Sequence, residues 1–317
     1  MHQAFRWEKL GLVYQAPRDG SWRHIYGQAP TVVRIGDRIR AFFAVRQPRD
    51  AAGLFKADMS WVDVSVDDPT TIVGEASGPL VPFGRPGTFD EHGLMPSCAV
   101  WAADTLRLYY CGWMRLVGVP YAVSIGLAES HDGGATFVKA GEGPLLGRTL
   151  QEPYQENGAI VIEDAGTWHM WYGSGTDWIA DAEGLEAIYV IKYAHSTDGI
   201  TWVRDARPLL PEVVEHECQA RPSILKIGSR WHMWFSYRYG LAFRNAERGY
   251  RIGYAWSDDL VTWHRDDALS GIDVSPSGWD SETVAYPCIF PAGDQIYMYY
   301  NGNDFGEGGF GCARLIR

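Results

Sequence analysis

Residues 231–238 read WHMWFSYR, an aromatic-rich run whose pattern occurs four more times along the chain. The other copies are RIRAFFAVR (38–46), LRLYYCGW (106–113), WHMWYGS (168–174) and IYMYYNG (296–302). Successive intervals between their aromatic anchors are 67, 62, 63 and 65 residues, for the anchors Phe42, Tyr109, Trp171, Trp234 and Tyr299. Near-equal intervals of this length indicate a repeat architecture in which each repeat is one supersecondary unit.

Each repeat predicts a four-stranded antiparallel sheet. A Pro or Gly lies 12 or 13 residues before each anchor and opens a short apolar strand, at Pro30, Pro96, Gly158, Pro222 and Pro287. Proline is tolerated at the first residue of a strand, where its missing N–H does least harm. A turn rich in Gly and Asp separates this strand from the aromatic strand. A third strand then leads, through turns such as 196–199 (STDG), to a fourth.

The two ends of the chain complement each other. The fifth repeat reaches Arg317 after only three strands, and residues 5–13 resemble the fourth strands of the other repeats. Closing the last sheet with the N-terminal strand removes an exposed edge. We therefore predict an all-β protein, a five-bladed β-propeller with four-stranded antiparallel blades, and a single domain over residues 1–317.

Composition excludes several classes of partner. The 317 residues contain 28 Lys and Arg against 39 Asp and Glu, a net charge of −11, which argues against nucleic acid or an anionic membrane as partner. Residues 1–8 lack the apolar region of a signal peptide, and no apolar run is long enough to span a membrane. The five cysteines are widely spaced, which is typical of reduced thiols, so we expect a cytoplasmic protein. We also expect no bound cofactor.

The segments that precede the five inner strands are the candidates for a functional site. We call them the approach segments, and they comprise residues 24–29, 90–95, 152–157, 216–221 and 281–286. In a propeller the inner strands surround the central channel, so these segments converge at one mouth. Four of them carry carboxylates and three carry His. Crowded carboxylates raise one another's pKa, which allows a carboxylic acid to stay protonated near neutral pH.

Two groups of residues at this mouth are candidates for catalysis and for substrate binding. The candidate catalytic carboxylates are Glu91, Glu156, Glu217 and Glu282. The candidate substrate-binding residues are His24, Gln28, His92, Trp113, Arg221, Arg238 and Tyr286. Arginine has the planar fork that binds carboxylate or phosphate groups. A metal site formed by His24, His92 and His216 is an alternative, but no short-range ligand motif supports it, so we expect no metal.

Several segments resemble a known group of proteins. The blade pattern over essentially the whole chain, with 95–97 (MPS), 220–223 (ARPS) and 278–282 (GWDSE), resembles the five-bladed propeller glycosidases of families 43, 62, 32, 68 and 117 and the family 130 phosphorylases. It is most similar to glycosidase-like propellers associated with bacterial polysaccharide gene clusters. In family 43 the general acid is a Glu two residues before a Pro, and Glu156 stands two residues before Gly158. The Asp that acts as the base in family 43 lies before the inner strand of the first blade, and it has no counterpart in 28–30 (QAP).

The resemblance implies a glycosidase that acts on a small saccharide or glycoconjugate. Two of the candidate carboxylates would protonate the leaving oxygen and activate water or attack the sugar. Four alternatives remain open. They are a glycoside phosphorylase or transglycosidase, an enzyme for an activated or acidic sugar, a non-catalytic carbohydrate-binding propeller, and a metal-dependent lyase or isomerase.

Overall fold

The computed structural model describes residues 4–51, 53–181 and 184–316. Within those ranges the chain forms twenty β-strands, β1 to β20, one 3-10 turn (Asp267–Leu269) and one four-residue helix, α1 (Asn303–Gly306). The predominance of strands agrees with the many aromatic and β-branched residues, which favour extended structure. No helix in the described ranges is long and apolar enough to cross a membrane.

The strands pair into antiparallel sheets of four, which we number along the chain. Sheet 1 contains β2 (Ile25–Ile35), β3 (Arg38–Arg46), β4 (Ala57–Ser65) and β5 (Ile72–Glu75). Sheet 2 contains β6 (Gly93–Ala102), β7 (Thr105–Arg115), β8 (Tyr121–Ser130) and β9 (Val138–Lys139). A single parallel bridge between Ala57 and Gly93 joins these two sheets.

The remaining strands form three further sheets. Sheet 3 contains β10 (Glu156–Asp164), β11 (Thr167–Asp181), β12 (Gly184–Ser196) and β13 (Val203–Asp205). Sheet 4 contains β14 (Cys218–Ile227), β15 (Arg230–Arg238), β16 (Arg251–Ser257) and β17 (His264–Arg265). Sheet 5 contains β18 (Ala285–Ala292), β19 (Gln295–Asn301), β20 (Gly309–Leu315) and β1 (Trp7–Gln15). As predicted, an N-terminal strand completes the last sheet, with a register from Trp7 opposite Leu315 to Gln15 opposite Gly309.

The five inner strands surround a common axis. Each of β2, β6, β10 and β14 contacts the inner strand of the next sheet, and β18 contacts β2, which closes the ring. A separate apolar core fills each contact between neighbouring sheets. Every repeat anchor is fully buried in a different one of these cores, Phe42, Tyr109, Trp171, Trp234 and Tyr299. The aromatic repeat therefore recurs because each sheet needs one large side chain between itself and a neighbour.

Each inner strand is interrupted by a β-bulge near its Pro or Gly landmark. The strands begin two to five residues before the landmarks, so the prediction that these residues open the strands was wrong. Pro30, Pro222 and Pro287 instead occupy unpaired positions in bulges, where a missing N–H breaks no ladder hydrogen bond. Arg221 and Tyr286 have φ of 50° and 53° in these bulges. Non-glycine residues rarely adopt this conformation, which often marks a functional constraint.

Candidate functional site

A cavity of about 690 Å³ lies at the end of the ring where the inner strands begin. We call it the mouth cavity. Each of the five approach segments contributes a residue to its lining, one from each sheet. These residues are Gln28, Met95, Asn157, Arg221 and Tyr286. Four predicted substrate-binding residues line it, Gln28, Trp113, Arg221 and Tyr286.

The ends of the second strands contribute to the same cavity. In an antiparallel pair the start of one strand lies beside the end of its partner. Ile25 accordingly pairs with Arg46, and Gly93 pairs with Trp113. A Cβ at Gly93 would lie 1.7 Å from Nε1 of Trp113, so glycine is needed for the indole to lie here.

Arg221 forms the floor of the cavity rather than a free binding group. Its Nη1 donates to the carbonyls of Pro96 and Ser97, at 3.0 and 2.8 Å. Its Nη2 donates to the carbonyls of Ala29 and Pro30, each at 3.0 Å. One side chain of sheet 4 therefore ties together the inner strands of sheets 1 and 2 across the axis, which differs from the predicted interaction with a substrate anion.

Other predicted binding residues lie outside the lining of the mouth cavity. Arg238 is buried behind the wall, with its guanidinium carbon 3.4 Å from the ring centre of Phe243. The His24 ring accepts a hydrogen bond from the Gly20 N–H. The His92 ring stacks on Trp113 at 6.3 Å, and burial lowers the pKa of this imidazole.

No metal centre is formed by the His residues of the approach segments. Within the ranges that the structure describes, no three His, Cys, Asp or Glu side chains are grouped as a metal would require. The conceivable site from His24, His92 and His216 is therefore not assembled.

Most of the buried acids near the approach segments belong to ion pairs with the outermost strand of their own sheet. We call these the inner–outer ion pairs. They are Asp90–Lys139 (2.5 Å), Glu152–Arg204 (2.9 Å), Glu217–Arg265 (2.5 Å) and Asp280–Lys9 (2.6 Å). Sheet 1 has a corresponding pair with the charges exchanged. Here the cation, Arg23, precedes the inner strand, and it binds the acid Glu75 on the outermost strand at 2.8 Å.

A tyrosine of the second strand completes the pair in three of the sheets. The hydroxyls of Tyr110, Tyr172 and Tyr300 donate to Asp90, Glu152 and Asp280, each at 2.9 Å. Sheet 4 has Phe235 at the matching position, directly after its anchor, and there Gln219 donates to Glu217 at 2.9 Å. The choice of Tyr or Phe in the repeat thus follows the hydrogen bonding of the acid.

This pattern changes the interpretation of Glu217. Besides Arg265 and Gln219, its carboxylate accepts the Val213 N–H at 2.8 Å, and the side chain is fully buried. Such saturated contacts hold an approach segment against its sheet, whereas the sequence suggested a catalytic acid. The density of acids here has a structural cause.

Glu91 and Glu282 lie at the periphery. The Glu91 carboxylate accepts the Gly87 N–H and lies 3.7 Å from Nε2 of His92. The Glu282 side chain is exposed, and the contacts of this residue come from its backbone N–H and carbonyl. Neither residue is among those that line the mouth cavity.

Glu156 differs from the other acids. It is fully buried, and neither carboxylate oxygen has a hydrogen-bond partner. The closest cation, Arg204 Nη1, is 3.6 Å from Oε1 and is closer to Glu152. Burial raises the pKa of Glu156 to about 7. Its neighbours Gln155 and Asn157 line the mouth cavity.

The lining also contains residues that the sequence analysis did not select. Tyr121 and Tyr189 come from third strands, and Phe55 and Arg49 come from the loop after β3. Third strands begin where second strands end, so the same convergence argument could have located Tyr121 and Tyr189. The loop after β3 carries no such signal, because its path depends on its packing.

The fold matches known structures over nearly the whole chain. A protein described as a glycoside hydrolase has a TM-score of 0.75 and 17% identity, covering 98% of this chain and 92% of that one. A family 130 structure, from work on mannoside phosphorylases and hydrolases of β-1,2 mannosidic linkages in Candida mannan, has a TM-score of 0.70 and 12% identity, covering 98% and 94%. Zg3597, a family 117 glycoside hydrolase from the marine bacterium Zobellia galactanivorans, has a TM-score of 0.67 and 10% identity, covering 98% and 90%. Structures of families 43 and 32 share the fold, which is that of glycoside hydrolase-fold propellers.

Two bacterial proteins are similar in sequence. Uncharacterized protein MT1551 of Mycobacterium tuberculosis (strain CDC 1551 / Oshkosh) and Uncharacterized protein Rv1502 of strain ATCC 25618 / H37Rv are each 34% identical to this chain over 314 residues. The matches cover 98% of this chain and 99% of each relative. The chain belongs to the same family as these two proteins. No family model matches it.

Proposed function

We propose that this protein is a single-domain, five-bladed β-propeller that acts as a glycosidase-like enzyme on a small saccharide or glycoconjugate. The observation that carries the proposal is the mouth cavity, to which all five sheets contribute aromatic rings, amides and hydroxyls. Ligand sites of this size combine apolar and aromatic walls with a few polar groups that set orientation. Trp113 and Tyr286 offer rings to the faces of a sugar, and Gln28, Gln155 and Asn157 offer amides to its hydroxyls.

We assign proton donation to Glu156, which lies between the lining residues Gln155 and Asn157 without lining the cavity itself, so the proposed step requires a side-chain movement that brings its carboxyl group to the cavity. An acid that protonates a glycosidic oxygen has to hold its proton near neutral pH, and a pKa of about 7 meets that need. In the proposed step the Glu156 proton passes to the leaving oxygen while the bond from that oxygen to the anomeric carbon breaks. A water molecule supplies the new oxygen. Glu91 is our candidate for the base that activates this water, because its neighbour His92 stacks on Trp113 of the cavity.

Paired glycoside substrates test the assignment. The probes are 4-nitrophenyl glycosides and the matching methyl glycosides of common hexoses. We expect Glu156→Gln to lower turnover of the methyl glycosides by at least about 100-fold. The loss should be much smaller for the 4-nitrophenyl glycosides, because nitrophenolate leaves without protonation.

The matched control is Glu212→Gln, which alters an exposed carboxylate outside the set of candidate catalytic residues. We expect it to leave both rates unchanged. Equal losses on the two kinds of glycoside in Glu156→Gln, or none on either, would contradict the role of Glu156 as acid.

A second candidate function is carbohydrate binding without turnover. The observation that favours it is the absence of Asp and Glu from the described residues that line the cavity. Glycosidases of both stereochemical classes generally need two carboxylates beside the scissile bond. Saturable sugar binding with no product detectable by mass spectrometry after long incubation would favour this candidate.

A further inference from the structure

The charge of the mouth cavity is opposite to that of the whole chain. The chain has a net charge of −11, yet the described residues that line the cavity include five arginines and no carboxylate. The arginines are Arg46, Arg49, Arg115, Arg221 and Arg244. Because a concave site of one charge sign concentrates its field, this cavity attracts anions.

Two of the five arginines are already engaged. Arg221 donates to four backbone carbonyls on the floor of the cavity. Arg244 pairs with Glu186 at 2.6 Å. The other three donate to uncharged oxygens, Arg46 to the Gln28 amide and Arg49 and Arg115 to backbone carbonyls. In the part of the chain that the structure describes, none of these three forms an ion pair with a carboxylate.

Arg46 has the geometry of a binding group. Its guanidinium carbon lies 3.9 Å from the ring centre of Tyr26 and 4.2 Å from that of Phe55. Its Nη2 donates to Oε1 of Gln28 at 3.1 Å. The two rings hold the guanidinium plane, and burial lowers the pKa of this arginine. A desolvated cation without a counter-charge is costly, and an oxyanion would offset that cost through two parallel hydrogen bonds.

We propose that the mouth cavity binds a saccharide carrying an oxyanion, namely a carboxylate, sulfate or phosphate group, and that Arg46 binds this group directly. The inference rests on the proposed function, because the sugar ring occupies the same cavity beside Trp113 and Tyr286. Arg49 and Arg115 add positive charge beside the group. A neutral sugar would leave Arg46 without a counter-charge.

Calorimetric titration of the full chain with matched sugars tests the proposal. The probes are glucose, galactose and mannose, the 6-carboxylate, 6-sulfate and 6-phosphate of each, and inorganic sulfate and phosphate. We expect at least one anionic series to bind about tenfold more tightly than its neutral parents, and added salt to weaken that binding. The series that binds most tightly identifies the oxyanion.

Variants of Arg46 identify the group responsible. Arg46→Gln should remove the preference for anionic sugars, whereas Arg46→Lys should retain part of it, because lysine keeps the charge and loses the fork. The matched control is Arg34→Gln, an exposed arginine at the other end of β2. It should leave the preference unchanged. Thermal unfolding of each variant verifies that it is folded.

The outcomes separate this inference from the proposed function. Equal binding of neutral and anionic sugars would overturn the inference and leave a saccharide site. Binding of inorganic anions with no contribution from any sugar would overturn both. Failure of every anionic sugar to bind, or an anionic preference that survives in Arg46→Gln, would overturn the inference.

Discussion

The mouth cavity and the inner–outer ion pairs draw on the same approach segments, but they differ in charge balance, because each pair matches an acid with a cation and the cavity lining contains arginines and no acid. On sheet 3, Gln155 and Asn157 line the cavity, whereas Glu152 lies behind it and pairs with Arg204. On sheet 4, Arg221 lines the cavity, whereas Glu217 pairs with Arg265. These two acids are therefore matched with cations behind the cavity, whereas three arginines of the lining, Arg46, Arg49 and Arg115, form no ion pair with a carboxylate of the described residues. Residue type in an approach segment does not by itself indicate a role, since neighbouring side chains enter different regions.

The largest effect should come from breaking a buried ion pair. Glu217→Ala removes the closest partner of Arg265, whose side chain is 3% exposed, and also the acceptors for Gln219 and Val213. We expect a loss of about 3–5 kcal/mol in the free energy of unfolding, measured in urea. Glu215→Ala, an exposed acid two residues away, is the control and should have little effect. Altered sugar affinity in the folded variant would show that the two regions are not separate.

Glu156 is the exception among the buried acids of the approach segments, because neither of its carboxylate oxygens has a hydrogen-bond partner. A pKa raised from 4.5 to about 7 means that the folded state holds this proton more tightly than the unfolded state. The stability contributed by the protonated form is complete below about pH 4.5 and is lost as the pH rises through 7. Glu156→Gln should therefore be more stable than the parent above pH 7, by up to about 3 kcal/mol, and similar to it at pH 4. Urea unfolding at both pH values measures this, and a difference independent of pH would contradict it.

Within the cavity, Trp113 should contribute to sugar binding and little to stability. Trp113→Leu removes the ring that faces the cavity, and we expect sugar affinity to fall about fivefold, or about 1 kcal/mol. Trp101→Leu, at the far end of the same inner strand pair, is the matched control and should leave affinity unchanged. Equal losses in the two variants would place the sugar elsewhere.

The smallest effect should come from the exchanged pair of sheet 1. The Glu75 side chain is 54% exposed, so its interaction with Arg23 is screened by solvent. Glu75→Gln should cost less than about 1 kcal/mol in urea unfolding. A loss as large as that of Glu217→Ala would mean that burial does not determine the strength of these pairs.

Much of the fold could be predicted because its causes recur at a regular spacing along the chain. The anchors recur at intervals of 62 to 67 residues since each of the five inter-sheet cores needs one fully buried aromatic ring. Within each repeat, side chains alternate along a strand with a period of two, and Gly and Asp mark the turns, so both features are visible in short stretches of sequence. The convergence of Gln28, Trp113, Arg221 and Tyr286 follows from ring closure and could be predicted too.

The sequence by itself determined the repeat, the number of strands in each sheet and the segments that meet at the mouth. Only the tertiary structure decided which charges are matched. Asp280 is paired with Lys9, 271 positions away, and Glu217 with Arg265, 48 positions away. Burial and ion pairing depend on distances in space, and these exist only once the chain has closed on itself. For the same reason the packing of Arg46 between Tyr26 and Phe55, and the isolation of Glu156, have no signature in residue order.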